Sequence, residues 1–286
     1  MNLKEILKKH VEVLAGEIGE RNVFKYKNYI KAKDYIIENI KNLNFDIREI
    51  NYKSYGCDVF IIEVKKNVLS NKIFIIGAHY DSVYGSKGAD DNASAVSVLI
   101  EIIKYFSQIE FKKDIRFLFF PNEEPPFFNS PLMGSEVYVK EIIKNKEKVE
   151  LMLSLESVGY YSEEKNSQRY PFPLNFFYPD KANFIGIVSN LKSRNYMNKI
   201  VKIFKEKTEL NVEYLAFPPI IPDMNFSDHY PFWKRNIKAL LITDTAFLRN
   251  PFYHSEFDLP DTLNYDKLFE VFKGIKSFIE FLNNSY

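Results

Sequence analysis

IFIIGAHYDSVYGSKGADDNASAVSVLIEIIKYF, residues 73–106, changes character twice within one short stretch. It opens on IFIIGA (73–78), a run of branched apolar residues that reads as a strand buried on both faces. A turn rich in Gly, Ser and Asp follows, and apolar residues at helical spacing then predict a helix over 92–107. A buried strand feeding a helix is the repeating unit of a sheet with helices packed on its faces.

The same alternation extends outward in both directions. Residues 2–14 and 26–43 carry apolar positions at helical spacing, as in Tyr29, Ile30, Tyr35, Ile36, Ile37 and Ile40. Further strand-like runs stand at 60–64, 115–120, 151–155, 184–188 and 239–243, with helices expected at 134–146, 194–208 and 264–282. The stretches 157–182 and 217–230 are irregular and rich in Pro, Phe and Tyr; functional lids and packed covers are both open readings of such loops. No internal repeat or low-complexity linker divides the 286 residues, so the expectation is one α/β domain over 1–286. Its architecture would be a three-layer α/β/α sandwich around a mixed, largely parallel sheet.

Composition narrows the function. A formal charge of +1 gives no global electrostatic case for nucleic acid, and no stretch has the roughly 18 consecutive apolar residues of a membrane span. MNLKEILKKHVEVLAGEIGER is charged and amphipathic and lacks the apolar core of a secretory signal, which predicts a cytoplasmic protein. The single cysteine, Cys57, opens the apolar run CDVFIIEV, and a buried, inert thiol is expected there. There is no G-x-S-x-G elbow, H-E-x-x-H helix, P-loop or paired C-x-x-C.

The polar residues that remain are ordered by the strands. His79 and Asp81 follow the run at 73–78, Glu123 and Glu124 follow 115–120, and Glu156 follows 151–155. In open α/β sheets sites form at the carboxyl ends of strands. Carboxylates and imidazoles are the ligands that suit zinc where thiolates are absent.

GAHYDSVYGSKGADDNASA (77–95), NEEPPFFNSPLMGS (122–135), LESVGY (155–160), SDHYPF (227–232) and YHSEFDLPDTLNY (253–265) resemble the successive motifs of the M28 zinc peptidases. LAGEIGER (14–21) resembles their N-terminal helix region. The resemblance implies a peptide substrate, aminopeptidase activity and two zinc ions. It implies that His79 binds the first ion with Glu156, that Asp91 bridges, and that Glu124 and His254 complete the second. Asp81 would orient His79, Glu123 would be the general base, Tyr253 would donate to the oxyanion, and the Asp91–Asn92 peptide would be cis. Glu156 departs from the commoner aspartate, so its extra methylene must be accommodated by a strand end set further from the metal. Two other readings share the fold: a glutaminyl-cyclase-like acyltransferase running on one zinc, and a non-catalytic binding module.

The remaining candidates have structural roles. His10 is expected on the surface of an amphipathic helix, and His229 is expected to shape the pocket or support its rim through Asp228 and Ser227. Asp90 and Asp244 would cap helices or hydrogen-bond near the ligands. Tyr170, Phe172, Phe217 and Phe226 suggest an aromatic pocket.

Overall fold

The computed structural model describes residues 1–68, 70–217 and 226–284. Among these residues eight strands form one sheet: β1 (Asp46–Ser54), β2 (Cys57–Lys65), β3 (Ile73–His79), β4 (Asp114–Phe120), β5 (Val149–Glu156), β6 (Phe184–Asn190), β7 (Asn211–Phe217) and β8 (Ala239–Thr243). Their order is β1-β2-β4-β3-β5-β8-β6-β7. The helices are α1 (Leu3–Val11), α2 (Tyr26–Ile40), α3 (Ala95–Phe106), α4 (Gly134–Lys144), α5 (Arg194–Lys207), α6 (Tyr230–Lys234) and α7 (Tyr265–Asn284).

Every residue of β3 and β4 is buried, which is why both read as unbroken apolar runs rather than alternating ones. β3 pairs in parallel with β4 on one side and β5 on the other. The chain leaves β3 through α3 to reach β4, then returns through α4 to reach β5 across β3. This reversal of strand order opens a crevice at the carboxyl end of β3. Strand pairing is parallel at four contacts and antiparallel at three, so the expected mixed sheet is found with only a slight parallel majority.

Helices α1, α2, α3, α5 and α7 pack together on one face, and α4 and α6 on the other, completing three layers. No helix among the described residues is long and apolar enough to cross a membrane.

Four local expectations are corrected. β1 and β7 lie at the two edges of the sheet and were not anticipated; β1 is mostly exposed or half-buried, so its apolar signal is weak. The helix expected from residue 92 starts at Ala95, because Asp91 and Asn92 have non-helical backbone and their peptide bond is cis, as the resemblance implied. His10 is buried, not superficial: its Nε2 lies 2.9 Å from Glu101 Oε1 on α3 and its Nδ1 2.6 Å from the Tyr35 hydroxyl on α2. Cys57 is half-buried at the start of β2, in place of the buried thiol expected.

One glycine couples this packing to the crevice. Gly134 opens α4 and donates its N–H to the Pro121 carbonyl at 2.9 Å, and a Cβ there would stand 2.5 Å from that same oxygen. Backbone cannot yield as a flexible side chain can, so Gly134→Ala is expected to destabilise by about 1–3 kcal/mol and shift the segment carrying Glu123 and Glu124. Chemical denaturation reads the first effect, and a wild-type midpoint in the variant would remove the constraint.

Candidate metal centre and active site

β3 ends on His79, β5 ends on Glu156, and β4 leads through Pro121 and Asn122 into Glu123 and Glu124. Asp81 ties two of these ends together, since its carboxylate accepts the Glu123 N–H and the Glu124 N–H, each at 3.2 Å. His79 Nδ1 lies 3.2 Å from the Asp81 main-chain oxygen and 3.5 Å from its carboxylate. The main-chain oxygen is therefore the nearer acceptor for a proton on Nδ1, which leaves Nε2 facing Asp91 Oδ1 at 3.1 Å and Glu156 Oε2 at 3.2 Å.

Asp91 is shared. Its other oxygen, Oδ2, lies 3.2 Å from His254 Nε2, and Glu124 Oε2 lies 3.1 Å from the same nitrogen. Two groups result, His79–Asp91–Glu156 and Asp91–Glu124–His254, each with one ligand atom per residue and all such atoms within 4.8 Å of one another. Each could hold a metal ion. Glu156 reaches His79 despite its extra methylene and receives the Ser227 hydroxyl at 2.8 Å.

The support for Asp91 comes from residues that sequence reasoning passed over. The Asp258 carboxylate accepts the Asp90 N–H at 2.9 Å and the Asp91 N–H at 3.2 Å. The Asn92 amide spans the Leu155 carbonyl at 2.9 Å and the Ser157 N–H at 3.0 Å. Arg21 is fully buried and donates to the carbonyls of Tyr80 at 2.9 Å and Gly88 at 2.7 Å, fastening both ends of the loop between His79 and Asp91. Arg21 and Asp258 both fall inside family-like segments, the one available signal for them. Asp90 accepts the Gly159 N–H, and Asp244 accepts the N–H groups of Tyr160 and Ala246, the hydrogen-bonding roles expected of both.

Glu123 belongs to neither group. With Glu156 and Tyr253 it lines a cavity walled by Val188, Leu241, Phe226 and Phe247, among others. Tyr170 and Phe226 border this cavity as expected, whereas Phe172 is 82% exposed and does not line it. The Phe217 side chain and residues 218–225 lie outside the described residues. Tyr253 stacks on the His254 ring at 3.8 Å between centroids. His229 is buried edge-on against Trp233 and outside both groups.

Collecting this much negative charge away from water distorts its titration. Burial, then repulsion from Asp91, pushes Glu124 up to about 8, and burial drives Glu123 well above the carboxylate range. Burial opposes a charged His254, but Asp91 and Glu124 outweigh it and raise the ring to about 10. Asp91 moves the other way: burial is overcome by the two imidazoles, and its pKa falls.

The sequence model of Peptidase family M28 matches residues 59–279. The chain belongs to that family. It is 33% identical over 280 residues to the uncharacterized protein YfbL of Escherichia coli, covering 95% of this chain and 86% of that one. It is 37% identical over 213 residues to aminopeptidase YwaD of Bacillus subtilis, covering 72% of this chain and 40% of that longer relative. Among solved structures, BSAP, a zinc aminopeptidase from Bacillus subtilis, superposes with a TM-score of 0.73 at 16% identity over 96% of this chain and 94% of that one. A glutaminyl cyclase from Fimbriiglobus ruber superposes with a TM-score of 0.69 at 13% identity over 97% and 94%. Both likenesses concern the fold. Membership of M28 makes this M28 chain a metallopeptidase, as expected.

The titration has a direction that can be measured on metal-free M28 protein. Glu124 moves from 4.5 to about 8 and His254 from 6.5 to about 10 on folding, so the native state binds more protons than the unfolded state across those windows. Stability must then fall as pH rises through them. The depressed Asp91 acts only at lower pH, where its contribution is lost as pH falls. The melting temperature of metal-free protein is expected to decline between about pH 6 and 9, and a divalent ion that replaces those protons should flatten the decline. Identical profiles with and without metal would show that these residues do not titrate as a metal site.

Proposed function

We propose that the chain is a single-domain zinc aminopeptidase with two ions, one on His79, Asp91 and Glu156 and one on Asp91, Glu124 and His254. The observation that carries this reading is the division of one carboxylate between two imidazoles: Asp91 Oδ1 faces His79 and Oδ2 faces His254. The donor set is nitrogen and oxygen without thiolate, which zinc accepts, and BSAP, which shares the fold, is a zinc aminopeptidase. Zinc bound there would supply Lewis acidity that makes water a nucleophile at neutral pH.

The chain's own residues do the rest. Glu123, free of both groups and facing the cavity, takes the proton of the attacking water and passes it to the leaving amine. The Tyr253 hydroxyl, in the same cavity, donates to the oxygen that gains charge in the transition state. Asp81 holds the His79 ring and the Glu123–Glu124 backbone in fixed relation. The binding-module reading finds no decayed position in this set. The cyclase reading shares the fold, but a mononuclear reaction leaves one of the two complete groups without a use; product masses separate the two, since hydrolysis adds water and cyclisation expels ammonia.

Adjacent glutamates give the decisive contrast. Glu123→Gln is expected to retain bound zinc while the rate of the chemical step falls by at least about 10²–10⁴-fold. Glu124→Gln is expected to lose zinc affinity and to regain part of its activity in excess zinc. Elemental analysis beside steady-state kinetics distinguishes them. Loss of zinc by the first variant and its retention by the second would exchange the two roles.

A further inference from the structure

The cavity beside Glu123 contains a carboxylate that the chemistry leaves unused. Strand register places it: Glu156 pairs with Thr243, Thr243 with Gly186, and Gly186 with Glu213. These four residues form a lateral row across β5, β8, β6 and β7, and all four line the one cavity. Register partners share a face of the sheet, and three strand spacings of about 4.8 Å set the ends of the row about 14 Å apart. Gly186 adds no side chain to the row, and a Cβ there would stand 3.0 Å from the Thr243 carbonyl oxygen and 3.5 Å from the Thr245 methyl, so Thr243 is the one side chain of the row between the candidate metal ligand and Glu213.

The surroundings of Glu213 are poor company for a charge. Tyr170, Tyr178, Val188, Leu215 and Leu241 wall this part of the cavity. The nearby phenols are engaged elsewhere, Tyr170 donating to the Pro179 carbonyl at 2.9 Å and Tyr178 to the Tyr214 carbonyl at 3.0 Å. Among the described residues no ion pair or side-chain hydrogen bond reaches Glu213; the Lys205 ammonium on α5 acts on it from a distance and lies over the Tyr214 ring. Half-buried carboxylates without a bonded partner are costly, and the cost is relieved when a cation arrives. Apolar and aromatic walls ending in a carboxylate match a side chain with a long apolar stem and a cationic head.

We propose that Glu213 makes this enzyme select peptides whose N-terminal residue is lysine or arginine. This rests on the aminopeptidase reading above. Leucine or phenylalanine would fill the walls but leave Glu213 desolvated and unpaired.

The test compares N-terminal Lys, Arg, Leu and norleucine in otherwise identical peptides, using zinc-loaded wild type and Glu213→Gln. Norleucine keeps the stem of lysine and lacks the ammonium. In the wild type, kcat/KM for Lys should exceed that for norleucine by at least about 10-fold, the scale of one desolvated charge pair. Glu213→Gln should lower the Lys and Arg values by about 10–100-fold and raise the norleucine value, since the charge that norleucine leaves unpaired is gone, with zinc content retained. Equal wild-type turnover of Lys and norleucine overturns the inference even if the variant does not fold, as does an equal loss on all four peptides. If no peptide is cleaved, the aminopeptidase reading fails by itself. Calorimetric binding of lysinamide against norleucinamide then judges Glu213 separately, with tighter lysinamide binding expected and equal binding overturning the assignment.

Discussion

One carboxylate placed between two imidazoles sets the terms for the rest of this structure. Asp91 can face His79 and His254 at once only if its backbone is fixed from several sides, and two distant parts of the chain do this, the Asp258 carboxylate on the Asp91 N–H and the Leu155–Ser157 backbone on the neighbouring Asn92 amide. Hydrogen bonds to charged groups contribute roughly 1.5–3 kcal/mol each, while burying an ion costs several kcal/mol. With Glu123, Glu124 and Glu156 buried beside Asp91, such bonds organise the cluster but do not neutralise it. Protons or cations must complete the balance, which is why Glu124 and His254 hold their protons so far above their ordinary ranges.

The fold concentrates these groups without long excursions of chain. β4, β3 and β5 are neighbours, so Glu124, His79 and Glu156 are delivered from three adjacent strand ends, and His254 arrives from the loop that follows β8. Arg21 reaches in from the N-terminal segment and fastens the loop between His79 and Asp91 through main-chain oxygens. A guanidinium suits this task because its donors fan out in one plane and reach several carbonyls together.

How much of this was legible follows from where the information resides. His79, Glu124 and Glu156 stand out because each polar residue closely follows an apolar strand, and the order of the family-like segments supplied Asp91 and His254. Edge strands are harder: in β1 neither face is consistently buried, so DIREINYKS has no strong apolar rhythm to read. His10 looks like a surface residue within LKKH, and its burial depends on Glu101, 91 residues away. Asp258 is similarly hidden, since its partners are backbone amides some 168 residues distant that leave no pattern in side-chain chemistry. Phe172 failed for the opposite reason, because aromatic character marks an irregular segment as a possible wall without saying which ring turns inward.

The reversal of strand direction at β6 separates the chemistry from the shape of the cavity. β8 runs parallel to β5 and brings Thr243 to the same rim as Glu156, but β6 is antiparallel to β8. Gly186, near the beginning of β6, is consequently the residue that meets Thr243, and the parallel strand β7 presents Glu213 near its own beginning. One rim thus combines the carboxyl ends of β3, β5 and β8 with the amino ends of β6 and β7. The long segment entering β6 arrives on that rim and supplies Tyr170 and Tyr178 to the cavity wall. Substitutions in that segment or at Glu213 can therefore alter which side chain is accommodated while leaving the strand ends that hold His79 and Glu156 unchanged. A wholly parallel sheet would instead present the carboxyl ends of β6 and β7 to the same rim, and the segment entering β6 would arrive at the opposite edge, away from His79, Asp91 and Glu156.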